Sequence, residues 1–176
     1  MVRFFFMRKT IQIVFSALSS LSGKKLLKLS KLIVPHPLFA ILSFYATMKA
    51  FNLAKEKFPK TNSNNGIGNA FRHALWTCLI ISYCSKISSP EKAVKFAKRM
   101  TDLHEELFPN KPLETKMDLH NNQIGINLFE EMLPGIHRQF FETSFFVDKL
   151  MEMIKDAEVL TELDKDYGNV LVYLKD

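Results

Sequence analysis

Hydrophobic positions along the chain recur at three- and four-residue intervals, and every strong repeat is helical. In residues 24–34, Leu26, Leu27, Leu29, Leu32 and Ile33 alternate with lysines until Pro35 and Pro37 break the run, which predicts one short amphipathic helix. Pro37 opens a second helix, tracked by Phe39, Leu42, Tyr45, Ala46, Ala50 and Leu53, that ends by Pro59. Residues 61–68 (TNSNNGIG) form the clearest loop, a hinge or an extended entry to the next helix. Residues 69–83 predict a largely buried helix, since Phe71, Ala74, Leu75, Cys78, Leu79 and Ile81 leave little polar surface. Ser89, Pro90 and Glu91 supply a cap, a first-turn proline and a first-turn acid for a helix reaching about Phe108. A further helix spans 114–132 before Pro134 and Gly135, and residues 140–163 supply one or two more. The β-branched tail 169–174 (NVLVYL) has no evident strand partner and is read as irregular.

These elements predict an all-α fold: a compact multi-helix domain, residues 61–176, behind a basic amphipathic helical leader, residues 1–60. A chain of 176 residues, 47% hydrophobic and 24% charged with 6 Gly and 7 Pro, can bury a sizeable core and is neither collagen-like nor disordered. Cys78 and Cys84 lie six apart on one predicted helix, separated by about 9 Å of rise, so they form no disulfide.

Charge divides the chain at the same place. Residues 1–60 hold eleven Lys or Arg against one acid, Glu56, for +10, while the remainder holds 13 bases and 17 acids, for −4. A basic, apolar leader suits an anionic membrane surface, where each nearby cation is worth about 1 kcal/mol. Nucleic acid is disfavoured, because no helix-turn-helix or zinc-finger spacing accompanies the charge. Residues 1–9 resemble a positive n-region, but the apolar stretch after them is diluted by Gln12, Ser16, Ser19, Ser20 and Ser22. A cytoplasmic location, with attachment to the inner membrane surface as its variant, is the expectation; no protein partner is indicated.

One polar stripe does not fit a solvated face. Asp118, Asn121, Asn122 and Gly125 fall at i, i+3, i+4 and i+7, yet Asn, Asp and Gly each cost about 0.5–1 kcal/mol in mid-helix relative to alanine. The stripe therefore faces inward, with Gly125 admitting a neighbouring backbone. Upstream, Asn69, His73 and Trp76 share a helical face bordered by Arg72, which needs an acid such as Asp118 or Glu105 if buried. The adjacent His104 and Glu105 point about 100° apart, so one enters a site while the other braces it. Three helices should converge on one polar cluster.

The combined pattern Asn69-x-x-Arg72-His73-x-x-Trp76, His104-Glu105 and Met117-Asp118-x-His120-Asn121-Asn122-x-x-Gly125 resembles an uncharacterised bacterial domain family of unknown function, over roughly residues 66–130. The resemblance implies a helical domain with a shared polar site at these positions and brings no activity with it. Arginine often follows the final glycine in that family; here Ile126 stands there.

Chemical templates narrow the reading. H-E-x-x-H fails because Phe108 stands three residues after Glu105; Gly66-x-Gly68 lacks its third glycine and a preceding strand; G-x-S-x-G is absent. What survives is a constellation of His73, His104, Glu105 and Asp118 as catalytic candidates, with Asn69, Arg72, Trp76, Asn121 and Asn122 as substrate-binding candidates. Such a set acts as general acid and base on an ester or phosphodiester, or holds a divalent metal with open positions. Spacing does not select the metal version, since the ligands come from separate helices. The expected function is a hydrolase-like one; the alternative is a non-enzymatic membrane-peripheral or protein-interaction module whose polar network only locks the helices. His120 points away from the stripe, and His36 and His137 are incidental.

Overall fold

Prolines at positions 37, 90 and 112 each open a helix, because a first-turn residue needs no amide hydrogen and proline's fixed φ suits the turn. In the computed structural model, which describes residues 11, 12 and 15–175, a helical segment at 15–19 precedes α1 (Gly23–Ile33), α2 (Pro37–Lys57), α3 (Ile67–Ile87), α4 (Pro90–Leu107), α5 (Pro112–Met132) and α6 (Thr143–Met153). The fold is all-α, with almost no strand. The Ser89 side chain accepts from the Lys92 backbone N–H, as its capping position predicts. Arg3, Arg8 and Lys9, the n-region of the leader, lie outside the described residues.

α3 is the central helix, buried on nearly every side from Gly68 to Ser85. α2 lies against it through a small-residue stripe, Ala46, Ala50 and Ala54, which lets the two axes approach closely. α4 contributes Ala93, Phe96 and Ala97, and α5 contributes Ile124, Gly125, Leu128 and Phe129. Gly125 is required here: a Cβ would stand 2.4 Å from Ala74 O and 2.8 Å from Thr77 Cβ. The Cys78 thiol donates to Gly125 O across the same contact, at 3.2 Å. Both cysteines are unpaired and buried. α1 rests on α4, with Lys25 donating to Leu107 O and Lys28 paired with Glu106.

Two expectations are corrected. Of the one or two helices expected over 140–163 there is one α-helix, α6, which stops early and is followed by a 3-10 turn, Ile154–Asp156. The tail expected to be irregular supplies strand β2 (Val172–Tyr173), paired in parallel with β1 (Glu158–Val159). The chain leaving α6 provides the partner that the tail alone lacked, and Met117, Leu160, Tyr167 and Val172 form a small second core beneath α5. The 61–68 loop is tied to its flanks: Asn69 N donates to Thr61 O, and Asn62 Nδ2 donates to Phe58 O.

Candidate functional site

The site lies where α3, α4 and α5 meet one another. On α4 the buried stripe runs Ala93, Ala97, Thr101, Glu105 at four-residue spacing, so helical geometry carries a carboxylate to a core position. Asp118 occupies the corresponding inward face of α5, and His73 that of α3. Glu105 is 5% exposed and Asp118 4%. One ligand-capable atom from each of His73, Glu105 and Asp118 lies within 4.8 Å of the other two.

The hydrogen bonds around this trio are incomplete in a definite way. His73 Nδ1 faces Asn122 Oδ1 at 3.3 Å, and the Thr77 hydroxyl lies 3.2 Å from the same oxygen. On its other side, His73 Nε2 lies 3.4 Å from Arg72 Nη2. A guanidinium can only donate, so Nε2 is the acceptor and Nδ1 carries the proton that goes to Asn122. Asp118 Oδ1 stands 3.4 Å from that same unprotonated Nε2, yet has no hydrogen-bond partner; neither has either Glu105 oxygen. Asp118 Oδ2 accepts from Asn110 Nδ2 at 3.4 Å.

Electrostatics follow from burial. Desolvation, reinforced by Asp118 and opposed by Arg72, pushes Glu105 up to about 8; desolvation, opposed by Arg72 and Asn110, pushes Asp118 up to about 7. Desolvation and then the neighbouring Arg72 hold His104 down at about 4, and the same two causes with His104 hold His73 well below the usual range. Both imidazoles are neutral at pH 7. Arg72 itself is lowered by burial, against the attraction of Asp118 and Glu105.

Arg72 departs from expectation in its partners. Its two short hydrogen bonds go to Asn62 O at 2.5 Å and Asn69 Oδ1 at 2.7 Å, and among the described residues it makes no ion pair within 4 Å to Asp118 or Glu105. Asn69 thus holds the guanidinium. Asn121 also departs: its Nδ2 donates to Val172 O at 2.8 Å and its Oδ1 accepts from Val172 N at 3.0 Å. An amide bonded at both ends to strand β2 mimics a third strand. Asn122, one position on, turns to α3 instead. His120 Nε2–H donates to Val170 O at 2.8 Å, away from the cluster, as expected.

The cluster opens onto a cavity of about 450 Å³ between α1, α2, α3 and α4. Its walls are mainly aliphatic and aromatic, including Leu29, Ile33, Phe44, Phe51, Met100 and Leu103. Arg72, His73, Trp76 and His104 form its polar end. Trp76 Nε1 donates to Thr47 Oγ1 at 2.9 Å, and the Trp76 ring meets His104 edge-on, with centroids 5.2 Å apart. The two neighbours on α4 therefore divide the work: His104 faces the cavity, and Glu105 enters the buried trio. Three participants are not evident in the sequence pattern. Thr77 sits one turn beyond His73 and could be found by extending that face. Asn110 lies in a turn, and Asn62 acts through its backbone carbonyl, which no side-chain pattern reveals.

The class defined by this architecture is an all-helical domain with a buried polar site. The chain belongs to the domain-of-unknown-function family DUF6973, whose family model matches residues 30–158. That span is wider than the 66–130 carried by the sequence pattern, and it takes in α2 and part of α1. Neither the curated proteins nor the solved structures contain a match to the chain.

Proposed function

We propose that the protein is a hydrolase acting on an ester or phosphodiester of an amphiphilic molecule. The observation that carries this reading is the cavity with an apolar body and a polar end at Arg72, His73 and His104. An apolar chain would occupy the body, where burial of each methylene contributes about 0.8 kcal/mol. The scissile group would then lie at the polar end. Arg72, held in place by Asn69 and the Asn62 carbonyl, would face the phosphate or the developing oxyanion. His104, neutral at pH 7, would accept a proton from the attacking water as its oxygen bonds to the carbonyl carbon or phosphorus, and would return it to the departing oxygen. An anionic substrate beside His104 raises its basicity toward the working range.

The test is turnover of chromogenic esters and phosphodiesters of graded acyl length by the full chain. Activity should rise with chain length, and His104→Ala should lose at least a hundredfold in kcat/KM while keeping its melting temperature within about 3 °C. Chain-length independence, or an undiminished His104→Ala variant, would oppose the reading.

A second reading is favoured by a different observation. Val34, Leu38, Ile41 and Tyr45 are exposed at the start of α2 and just before it, and Lys24, Lys28 and Lys31 lie nearby on α1. Among the described residues, α2 is also the helix whose length and composition would allow it to cross a membrane, although it packs on α3 here. In this reading the leader docks at an anionic membrane surface, on the cytoplasmic face, and the polar network only fixes helix packing. Vesicle sedimentation with anionic lipid, coupled with the turnover assay, separates the two: binding without turnover favours the module.

A further inference from the structure

We propose that His73, Glu105 and Asp118 form a binding site for one divalent transition-metal ion, of the Mn²⁺ or Zn²⁺ kind, between α3, α4 and α5. The starting point is a deficit. Two carboxylates and an imidazole, all nearly inaccessible to solvent, bring ligand atoms within 4.8 Å of one another, and among them Glu105 Oε1, Glu105 Oε2 and Asp118 Oδ1 have no hydrogen-bond partner. Leaving such an oxygen unsatisfied costs about 1–3 kcal/mol, more when it is charged, so three together call for an occupant.

The tautomer of His73 narrows the occupant to a cation. Nδ1–H donates to Asn122 Oδ1, which leaves the Nε2 lone pair between Arg72 Nη2 and Asp118 Oδ1, each 3.4 Å away, so a bound ion would take that lone pair in place of the long Arg72 contact. Two lone pairs facing each other across that distance attract nothing by themselves. Two ligands at about 2.0–2.1 Å from a tetrahedral ion lie about 3.3 Å apart, so the observed separation is already that of neighbouring ligand atoms. The Asn122 carbonyl, steadied by the Thr77 hydroxyl, plays the part that an outer partner plays for a metal-bound histidine: it fixes the ring and its proton. Glu105 has both oxygens free to complete the set by a small side-chain adjustment.

A proton shared between the carboxylates is the competing occupant. A proton on Asp118 Oδ1 could be donated to the unprotonated His73 Nε2, 3.4 Å away, but it would leave both Glu105 oxygens still without a hydrogen-bond partner, whereas one ion serves all three residues. One nitrogen and two oxygens with no thiolate select a borderline or hard divalent ion and exclude copper(I). The nearby Arg72 limits the charge that the site tolerates. With a divalent ion, Arg72 and the two carboxylates bring the sum to +1, which an anionic ligand at the cavity side would neutralise. The metal site stands on its own geometry, so it holds whether or not the protein is a hydrolase.

The test uses tag-free full-length protein, stripped with chelator and titrated calorimetrically with Mn²⁺ and with Zn²⁺. One ion per chain is expected, with a rise in melting temperature at saturation. Glu105→Gln and Asp118→Asn, which keep size and remove charge, should each weaken binding at least tenfold. His137→Ala, at an exposed histidine outside the site, should leave affinity unchanged. Glu105→Gln keeps the side chain's size and replaces one uncharged buried group with another, so without metal it should melt close to wild type, and it remains informative if Asp118→Asn fails to fold. Absence of stoichiometric binding of both ions would overturn the proposal, as would wild-type affinity in Glu105→Gln. Metal binding without any turnover would leave the site standing and remove the hydrolase reading.

Discussion

Replacing Gly125 with alanine tests how the α3–α5 contact builds the site. The added Cβ would lie 2.4 Å from the carbonyl oxygen of Ala74 and 2.8 Å from Thr77 Cβ, and the former is helix backbone that cannot rotate aside. To bring the first contact to 3.0 Å the two helices must part by at least about 0.6 Å. Overpacking of this kind costs about 1–3 kcal/mol, and a backbone obstacle places it near the upper end. Against this, alanine is intrinsically better than glycine in a helix by about 1 kcal/mol. The net expectation is a loss of about 2 kcal/mol, or about 4–8 °C in melting temperature for a chain of this size. Because the intrinsic preference acts in the opposite direction, the sign alone is diagnostic. The same displacement opens the His73–Asp118 separation of 3.4 Å, so affinity for Mn²⁺ or Zn²⁺ should also fall. Scanning calorimetry of the two proteins, with and without ion, reads both effects. A variant as stable as wild type would refute the claim that Gly125 is there for close approach.

Other perturbations probe the buried polar groups. Asn121→Ala strips both hydrogen bonds from the buried Val172 backbone and should cost about 2–4 kcal/mol, read by urea denaturation; a loss under about 1 kcal/mol would mean that β2 holds without it. Metal-free protein should lose stability as pH rises from about 6.5 to 8. In that window Glu105 and Asp118, raised to about 8 and about 7, keep protons in the folded state that the unfolded chain has released, so unfolding releases protons and high pH favours it. The slope is at most about 1.4 kcal/mol per pH unit for each carboxyl still protonated. His73 and His104 are depressed in the folded state and contribute the opposite slope, but only below about 6.5, where the two pairs offset each other. Denaturant midpoints at three pH values after chelation check this, and a midpoint that climbs from 6.5 to 8 would contradict it.

Much of the architecture is written locally. Helical periodicity and the prolines at 37, 90 and 112 mark the helices without reference to the rest of the chain, because capping and amphipathic spacing act within a few residues. The inward stripe of Asp118, Asn122 and Gly125 is also legible, since such residues are poor helix formers unless something buried compensates them. Tertiary structure decided the rest. Asn121 and Asn122 are chemically identical neighbours, yet one is bonded to Val172 and the other to His73, a difference set by which element packs on each side of α5. The tail became a strand only because the chain after α6 returned beside it, and a strand exists only with its partner. Likewise, Glu105 is an ordinary acid in sequence; it is the meeting of three helices that removes its water and sets its oxygens beside Asp118 and His73.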